Sequence, residues 1–299
     1  MQRDEFSIEQ LGIGAPTHGF RWMTFPLYQR HLAGLGMPGE RVSVIAIGAR
    51  VGVQPIGLLV AERPATGPAR LVSVAVRPGH RQRGCARSMF LELESVLGSQ
   101  DVPQLVAGGA DAVLTTEIRA LLGRVGFGPL TPAGQCIELE SERLGPLVTR
   151  RERWLPSGYS AVPWTSLTAQ RRGALRATLT YPESLSPFRH EAQIEPTTSL
   201  ALLANDQVVG WAIGHRINAD IVHYATIFVR EDLQNLGLGA GLFFTALARH
   251  CTSPKTRRAR GRFLVRDESA RMRRLLERRI HPYASRRAAY FEAAKDLTV

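Results

Sequence analysis

The chain has 299 residues, 44% of them hydrophobic, which is enough for two compact domains that each bury a core. No apolar run reaches the roughly 18 residues that a membrane-spanning helix needs, and no hydrophobic region follows the charged N-terminus. We therefore expect neither a membrane span nor a secretory signal. The three cysteines are widely spaced, so we expect no disulfide framework, no metal site and a cytoplasmic location.

The net charge of +12 is concentrated near the C-terminus. Residues 255–287 hold 13 basic and 3 acidic residues, and almost all of the basic ones are arginines. Arginine is well suited to bind phosphate and carboxylate groups. A solvated, arginine-rich surface explains the same composition equally well.

The first half of the chain has a regular order of secondary-structure signals. Two β-rich runs in residues 41–62 come first, and a third strand follows over 69–76. A small-residue loop then leads into a helix, because the apolar residues Met89, Phe90, Leu93 and Leu97 fall on one helical face. A further strand over 104–109 and a second helix over 116–127 complete the pattern.

The second half repeats this order at a constant offset of 153 residues. Without a gap, Val76 falls on Val229, Gly84 on Gly237 and Phe90 on Phe243. The corresponding helix carries Leu242, Phe243, Ala246 and Leu247 on one face. We interpret the chain as a tandem duplication of one mixed α/β domain, with copies over 1–148 and 149–299.

The loop between the third strand and the helix has the chemistry of an anion site. A strand that runs into a glycine-rich turn and then a helix directs several backbone N–H groups at one point, where the helix dipole is positive. The sequence "GLGAGL" at 237–242 lacks the lysine of a P-loop and the last small residue of a dinucleotide fingerprint. Both copies instead contain Arg/Gln-x-x-Gly-x-Gly/Ala, as "RQRGCA" (81–86) and "QNLGLG" (234–239).

With this signature between strand and helix, and present twice, the chain resembles the GNAT superfamily of acyl-CoA-dependent N-acyltransferases in tandem form. The resemblance implies two α/β (α+β) domains, each a mixed, mostly antiparallel sheet flanked by helices, with a splayed central strand. It also implies that the second copy binds the coenzyme A pyrophosphate through the main chain of Gln234, Asn235, Leu236, Gly237, Leu238, Gly239 and Ala240, and the pantetheine arm along Ile227, Phe228 and Val229.

The equivalent second site in the first copy would contain Val74, Val76, Arg81, Gly84 and Ala86. Three interpretations of this copy stay open. It is a vestigial domain that shapes the acceptor cleft, a domain that binds coenzyme A without turnover, or a second active centre.

The resemblance also points to catalytic residues in the second copy. Some family members place a general base on the central strand eleven residues before the signature, and this position is His223 in copy two and Arg70 in copy one. A histidine with a pKa near 6.5 suits base chemistry, whereas arginine keeps its proton. Regular alternation predicts that His223 shares a face with Ile227 and Val229. The usual general-acid tyrosine is absent, and Tyr283 is a candidate replacement.

The sequence thus predicts an N-acyltransferase that moves an acetyl or longer acyl group from acyl-CoA to a primary amine of a small molecule or peptide, with its centre in the second copy. The alternative is a non-catalytic acyl-CoA sensor or scaffold. The basic segment 255–287 suggests contact with the cofactor 3′-phosphate, an acidic peptide or an acyl carrier protein. Nucleic-acid binding is disfavoured, since that segment has few aromatic residues to stack on bases.

Overall fold

The computed structural model of the chain describes residues 6–12, 14, 19–35, 42–148, 154–178, 180–266 and 270–297. It divides into two compact units: unit 1 is Met1–Ala133 with Ala289–Val299, and unit 2 is Gly134–Ala288. No helix among the described residues is long and apolar enough to cross a membrane.

Unit 1 is a sheet with helices packed on it. In chain order its elements are β1 (Ser7–Gln10), α1 (Pro26–Leu32), β2 (Val42–Val51), β3 (Gln54–Pro64), β4 (Ala69–Val76), α2 (Cys85–Gly98), β5 (Gln104–Ala110), α3 (Thr116–Arg124), and part of β12 (Ala284–Asp296). The strand order is β1-β2-β3-β4-β5-β12. Among these described pairings only β4–β5 is parallel.

Unit 2 repeats this plan. Its elements are β6 (Thr131–Leu139), α4 (Ser141–Val148), β7 (Tyr159–Pro163), α5 (Ala169–Thr178), β8 (Leu200–Ala204), β9 (Gln207–Asn218), β10 (Ile221–Val229), α6 (Leu238–Thr252), β11 (Arg260–Arg266) and α7 (Ala270–Leu275). The strand order is β6-β11-β10-β9-β8-β7, and β10–β11 is the parallel pair among the described strands. A π-helical turn, Leu276–Ile280, follows α7.

Each unit completes its sheet with a strand from the other half of the chain. In unit 1, residues 290–296 of β12 pair antiparallel with β5. In unit 2, residues 134–139 of β6 pair antiparallel with β11. The compact units therefore differ from the continuous copies 1–148 and 149–299 predicted from the sequence, which assigned neither β6 nor β12. The order of elements along the chain is still duplicated. Only the sheet that β6 and β12 join is exchanged between the two copies.

The offset of 153 residues holds at the level of single hydrogen bonds. The Arg77 N–H donates to the Ile56 carbonyl at 2.8 Å, and the Arg230 N–H donates to the Val209 carbonyl at 2.8 Å. Both predicted helix faces are confirmed as buried: Met89, Phe90, Leu93, Leu97, Leu242, Phe243, Ala246 and Leu247. The two copies thus share backbone geometry as well as sequence pattern.

The sheet of unit 2 has a buried cluster on each side, and we name the sides for use below. The α6 face carries Tyr224 and Val229, which pack with α6 residues such as Leu242. The far face carries Trp211 and Phe228, whose rings stack with centroids 4.5 Å apart. Unit 1 likewise has two clusters, one of which packs on α2.

Candidate active site

Strand β10 separates from its parallel neighbour halfway along its length. It pairs with β9 as far as Val229, but with β11 only from Ile221 to Tyr224. β11 continues to pair with β6 up to Arg266, so the two parallel strands diverge beyond Tyr224. Of the described strands, none pairs with the β11-side edge of residues 225–229. The free N–H and C=O groups of that edge can bind an extended, amide-bearing chain.

The turn after β10 leaves a helix end without a side-chain cap. Gly237 begins α6 in the left-handed region at φ 75°, which glycine adopts without steric cost, and no side chain caps this end. The first helical bond runs from the Gly241 N–H to the Gly237 carbonyl at 3.0 Å. By helix geometry the N–H groups of Leu238, Gly239 and Ala240 lack intrahelical acceptors. Together with the helix dipole they are able to bind an anion.

The first residue of the signature fixes this turn to the end of the strand. The Gln234 side-chain amide donates to the Val229 carbonyl at 3.1 Å. At the duplicated position, Arg81 Nε donates to the Val76 carbonyl at 3.0 Å. Both bonds need a long side chain that ends in an N–H donor, which accounts for Arg or Gln at this place. Sequence reasoning missed this role, although two different donor residues at one duplicated position were its signal.

Unit 1 contains the same junction of strand, glycine turn and helix, but the loop of this junction is more positively charged. β4 pairs with β5 only over Ala69–Leu71, and Gly84 begins α2 at φ 87° without a side-chain cap. Its loop carries four exposed arginines and no acidic residue between positions 77 and 91: Arg77, Arg81, Arg83 and Arg87. The equivalent loop of unit 2 contains two acids, and one of them, Asp232, binds Arg230 at 2.7 Å. The predicted second site therefore has the backbone form of the first and a more positive surface.

A β-bulge in β10 corrects the predicted orientation of His223. The pairing with β9 moves from Tyr224–Gly214 directly to Thr226–Ile213, so Ala225 is an extra residue. The extra residue reverses the alternation, and Tyr224 packs on the α6 face with Val229. His223 therefore lies on the far face with Thr226, and does not share a face with Ile227 and Val229 as expected. The same bulge occurs at Val72 in β4.

His223 lies in a polar row that crosses four strands. Its neighbours are His215 on β9 and Arg262 on β11, and Arg262 is paired in turn with Glu138 on β6. The Glu138 carboxylate accepts from Arg262 Nη2 at 2.7 Å and from Arg260 Nη1 at 2.9 Å. This row places a buried carboxylate, two guanidinium groups and two imidazoles beside the opening between β10 and β11.

The row makes both of its histidines weakly basic. Burial, followed by the positive charge of Arg262, lowers the pKa of His223 to about 4. Burial also lowers the pKa of His215 to about 3, with His190 and His223 as further causes. His223 is therefore neutral at pH 7 and able to accept a proton, but its pKa lies well below the value near 6.5 expected for an exposed histidine.

The candidate acid from the sequence lies apart from this row. Tyr283, the candidate acid, packs against the buried cluster of the α6 face, whereas His223 is on the far face. Burial raises the pKa of the Cys85 thiol to about 11, so it carries no nucleophilic thiolate near pH 7. Among the described residues, no group of three or more His, Cys, Asp or Glu side chains is arranged to hold a metal ion.

Comparisons with known proteins agree with this geometry. Residues 168–279 match the acetyltransferase (GNAT) family model. Among solved structures, a tandem GNAT protein from the clavulanic acid biosynthesis pathway is similar over 99% of both chains, with a TM-score of 0.70 and 15% identity. A GCN5-related N-acetyltransferase from Sphaerobacter thermophilus covers 98% of this chain and 96% of its own, with a TM-score of 0.55 and 12% identity. A comparison with curated proteins gives no match.

These similarities confirm the predicted fold class, a mixed and mostly antiparallel sheet with flanking helices in two copies. At such low identity the solved structures establish the fold alone, and the family model adds a sequence similarity within the second copy. Residues 168–279 are thus similar to the acetyltransferase (GNAT) family, within a chain whose fold is that of a tandem GNAT protein.

Proposed function

We propose that unit 2 is an acyl-CoA-dependent N-acyltransferase that moves an acetyl or longer acyl group to a primary amine of a small molecule or peptide. The observation that carries the proposal is the junction of β10 and α6. A strand with a free backbone edge leads through Gly237 into an uncapped helix end. One extended ligand with amides in its middle and a diphosphate near its end fits both parts.

In this proposal the main chain supplies most of the recognition. The N–H groups of Leu238, Gly239 and Ala240 bind the diphosphate, and the edge of residues 227–229 pairs with the pantetheine amides. The protein leaves room at position 239, where an added β-carbon would be in ordinary contact with the Val229 side chain, at 3.7 Å, and with nothing closer. Bound acyl-CoA supplies the activated thioester, and the polar row on the far face handles the proton of the amine.

His223 is the proposed proton acceptor, and its low pKa defines how it acts. Amines near pKa 10 are mostly protonated at pH 7, so the amine must lose a proton before it attacks the thioester. A neutral imidazole accepts that proton, but a base with a pKa near 4 holds it weakly. We infer that the proton passes on from His223 to solvent and does not remain there. Tyr283 stays a candidate acid for the departing thiolate.

Unit 1 is proposed to be non-catalytic. At the position of His223 it carries Arg70, which forms an ion pair with Glu292 at 3.3 Å and cannot accept a proton. At the position of His215 it carries a buried glutamate, Glu62, which accepts a hydrogen bond from Tyr28 at 2.8 Å. Both side chains are bound to partners within the unit, so of the three interpretations we set aside the second active centre.

The basic segment 255–287 serves two purposes in this proposal. Arg260 and Arg262 bind the buried Glu138 and are structural. A second group of arginines is exposed on α7 and the turn that follows it: Arg273, Arg274, Arg278 and Arg279. Their charge suits the phosphates of the cofactor or an acidic partner such as an acidic peptide or an acyl carrier protein.

The test is calorimetric titration of the full chain with acetyl-CoA, followed by a thiol-release assay with a panel of primary amines. We expect one binding event that Gly237→Ala weakens, and amine-dependent thiol release that His223→Ala reduces. Absence of binding at high micromolar acetyl-CoA would refute the proposal. Acetyl-CoA binding without amine-dependent thiol release, and with the same affinity in His223→Ala, would instead favour the acyl-CoA sensor.

A further inference from the structure

Thr226 places a hydroxyl group with no partner inside unit 2, at the opening between β10 and β11. The residue is 7% exposed, and among the residues that the structure describes none forms a hydrogen bond with its Oγ1. It lies two positions beyond the last β10–β11 pair and directly after the bulge. A buried hydroxyl without a partner is unfavourable, so its retention points to a ligand that supplies one.

The duplicated position in unit 1 shows the same hydroxyl with its bonding satisfied. Ser73 occupies that position, also after a bulge, and its Oγ lies 2.8 Å from the Oγ1 of Thr24. Thr24 lies just before α1, which packs over that face of unit 1 through Tyr28 and Leu32. One copy thus satisfies the hydroxyl with its own side chain, and the other copy leaves the buried hydroxyl without a hydrogen bond.

We propose that Thr226 Oγ1 binds the incoming amine, accepting a hydrogen bond from its N–H, and that the acceptor therefore approaches from the far face. This inference rests on the proposed function. Thr226 projects on the same face as His223, as the bulge requires. The proposed diphosphate site at the start of α6 lies on the other face, which leaves the far face for the second substrate.

The chemistry of the hydroxyl selects a class of acceptor. A threonine hydroxyl can donate one hydrogen bond and accept two, so it can bind an amine nitrogen and still donate to a second atom. On the side of the hydroxyl away from His223 the neighbours are apolar and aromatic, since Ile213 is its cross-strand neighbour and Phe228 lies two residues on. A primary amine on an apolar or aromatic carbon skeleton fits this combination better than a highly charged polyamine.

The experiment compares three full-length variants with the wild type. Thr226→Val removes the hydroxyl with little change of shape, Thr226→Ser keeps it, and Ser73→Ala is the matched control in unit 1. Thiol release is measured at saturating acetyl-CoA with butylamine and with phenylethylamine as acceptors. We expect Thr226→Val to raise the KM for both acceptors five- to tenfold while the KM for acetyl-CoA stays unchanged. Thr226→Ser and Ser73→Ala should stay within twofold of the wild type.

Unfolding in urea gives a second measurement that needs no acceptor. Because Thr226 has no partner in the free protein, Thr226→Val should leave the midpoint unchanged or raise it, whereas Ser73→Ala should lower it. Unchanged acceptor kinetics in Thr226→Val overturn the inference, and so does a midpoint lowered as far as in Ser73→Ala. A wild type that binds acetyl-CoA but releases no thiol with either acceptor overturns the proposed function, and the inference falls with it.

Discussion

Removing the Glu138 carboxylate should weaken unit 2 far more than removing an exposed glutamate nearby. The side chain is 7% exposed and accepts three hydrogen bonds from two arginines, at 2.7, 2.9 and 3.0 Å. Deleting one member of a fully buried ion pair costs about 3–5 kcal/mol. The side chains of Arg260 and Arg262 are 42% and 37% exposed, so hydration of their charges offsets part of that loss. We therefore expect Glu138→Ala to lower the free energy of unfolding by about 2–3 kcal/mol.

Urea unfolding followed by tryptophan fluorescence is a suitable assay, because Trp154, Trp164 and Trp211 of the chain's 4 tryptophans lie in unit 2. The control is Glu140→Ala, whose 45% exposed carboxylate lies 4.0 Å from Arg143, and whose loss should cost less than about 0.5 kcal/mol. Hydrogen exchange should also become faster in β11 of Glu138→Ala. Equal midpoints for the two variants would show that the ion pairs of the polar row contribute nothing to holding β6 in the sheet.

Three further predictions concern the exchanged strand, the glycine turn and the histidines. Residues 149–299 expressed alone lack β6, so β11 has an open edge, and we expect a poorly soluble chain whose far-UV circular dichroism melts without a cooperative transition. Gly237→Ala forces alanine to φ 75°, at a cost of about 1–2 kcal/mol, and should weaken acetyl-CoA binding about tenfold in calorimetry. Gly84→Ala makes the same change in unit 1 and should leave the affinity for acetyl-CoA unchanged. An equal loss of affinity in this variant would show that acetyl-CoA binds in unit 1. Because the pKa values of His223 and His215 are lowered in the folded protein, these histidines are protonated between pH 6.5 and 4 only in the unfolded chain. The free energy of unfolding is therefore highest above pH 7 and falls as the pH drops. At pH 5 the loss is about 2 kcal/mol for each histidine, and a urea midpoint that is the same at pH 7.5 and pH 5 would contradict it.

The sequence was sufficient for what depends on neighbouring residues. The glycine turn at Gly237, the apolar face of α6 and the offset of 153 residues all follow from local spacing, and the structure confirms the elements that they predict. The direction of the N–H groups at the start of α6 is predictable for the same reason, since a strand, a glycine and a helix in succession determine where they point.

Features that depend on distant parts of the chain were not predictable. Nothing in the local sequence marks Ala225 as an extra residue, because a bulge is defined by the register of the partner strand. The pKa of His223 depends on burial and on Arg262, which joins it only through the fold. The partners of β6 and β12 likewise depend on which sheet edge remains open, and strand patterns contain no information about that.

The exchange of β6 and β12 has a consequence for synthesis on the ribosome. Strand β5 of unit 1 is made early, but its neighbour in the sheet, residues 290–296, emerges only after nearly all of unit 2. Throughout that interval the nascent chain displays an unpaired strand edge, which can recruit other chains. Slow translation of the second copy would therefore give the first copy more time to aggregate through β5. A chaperone that covers β5 would increase the yield of folded protein.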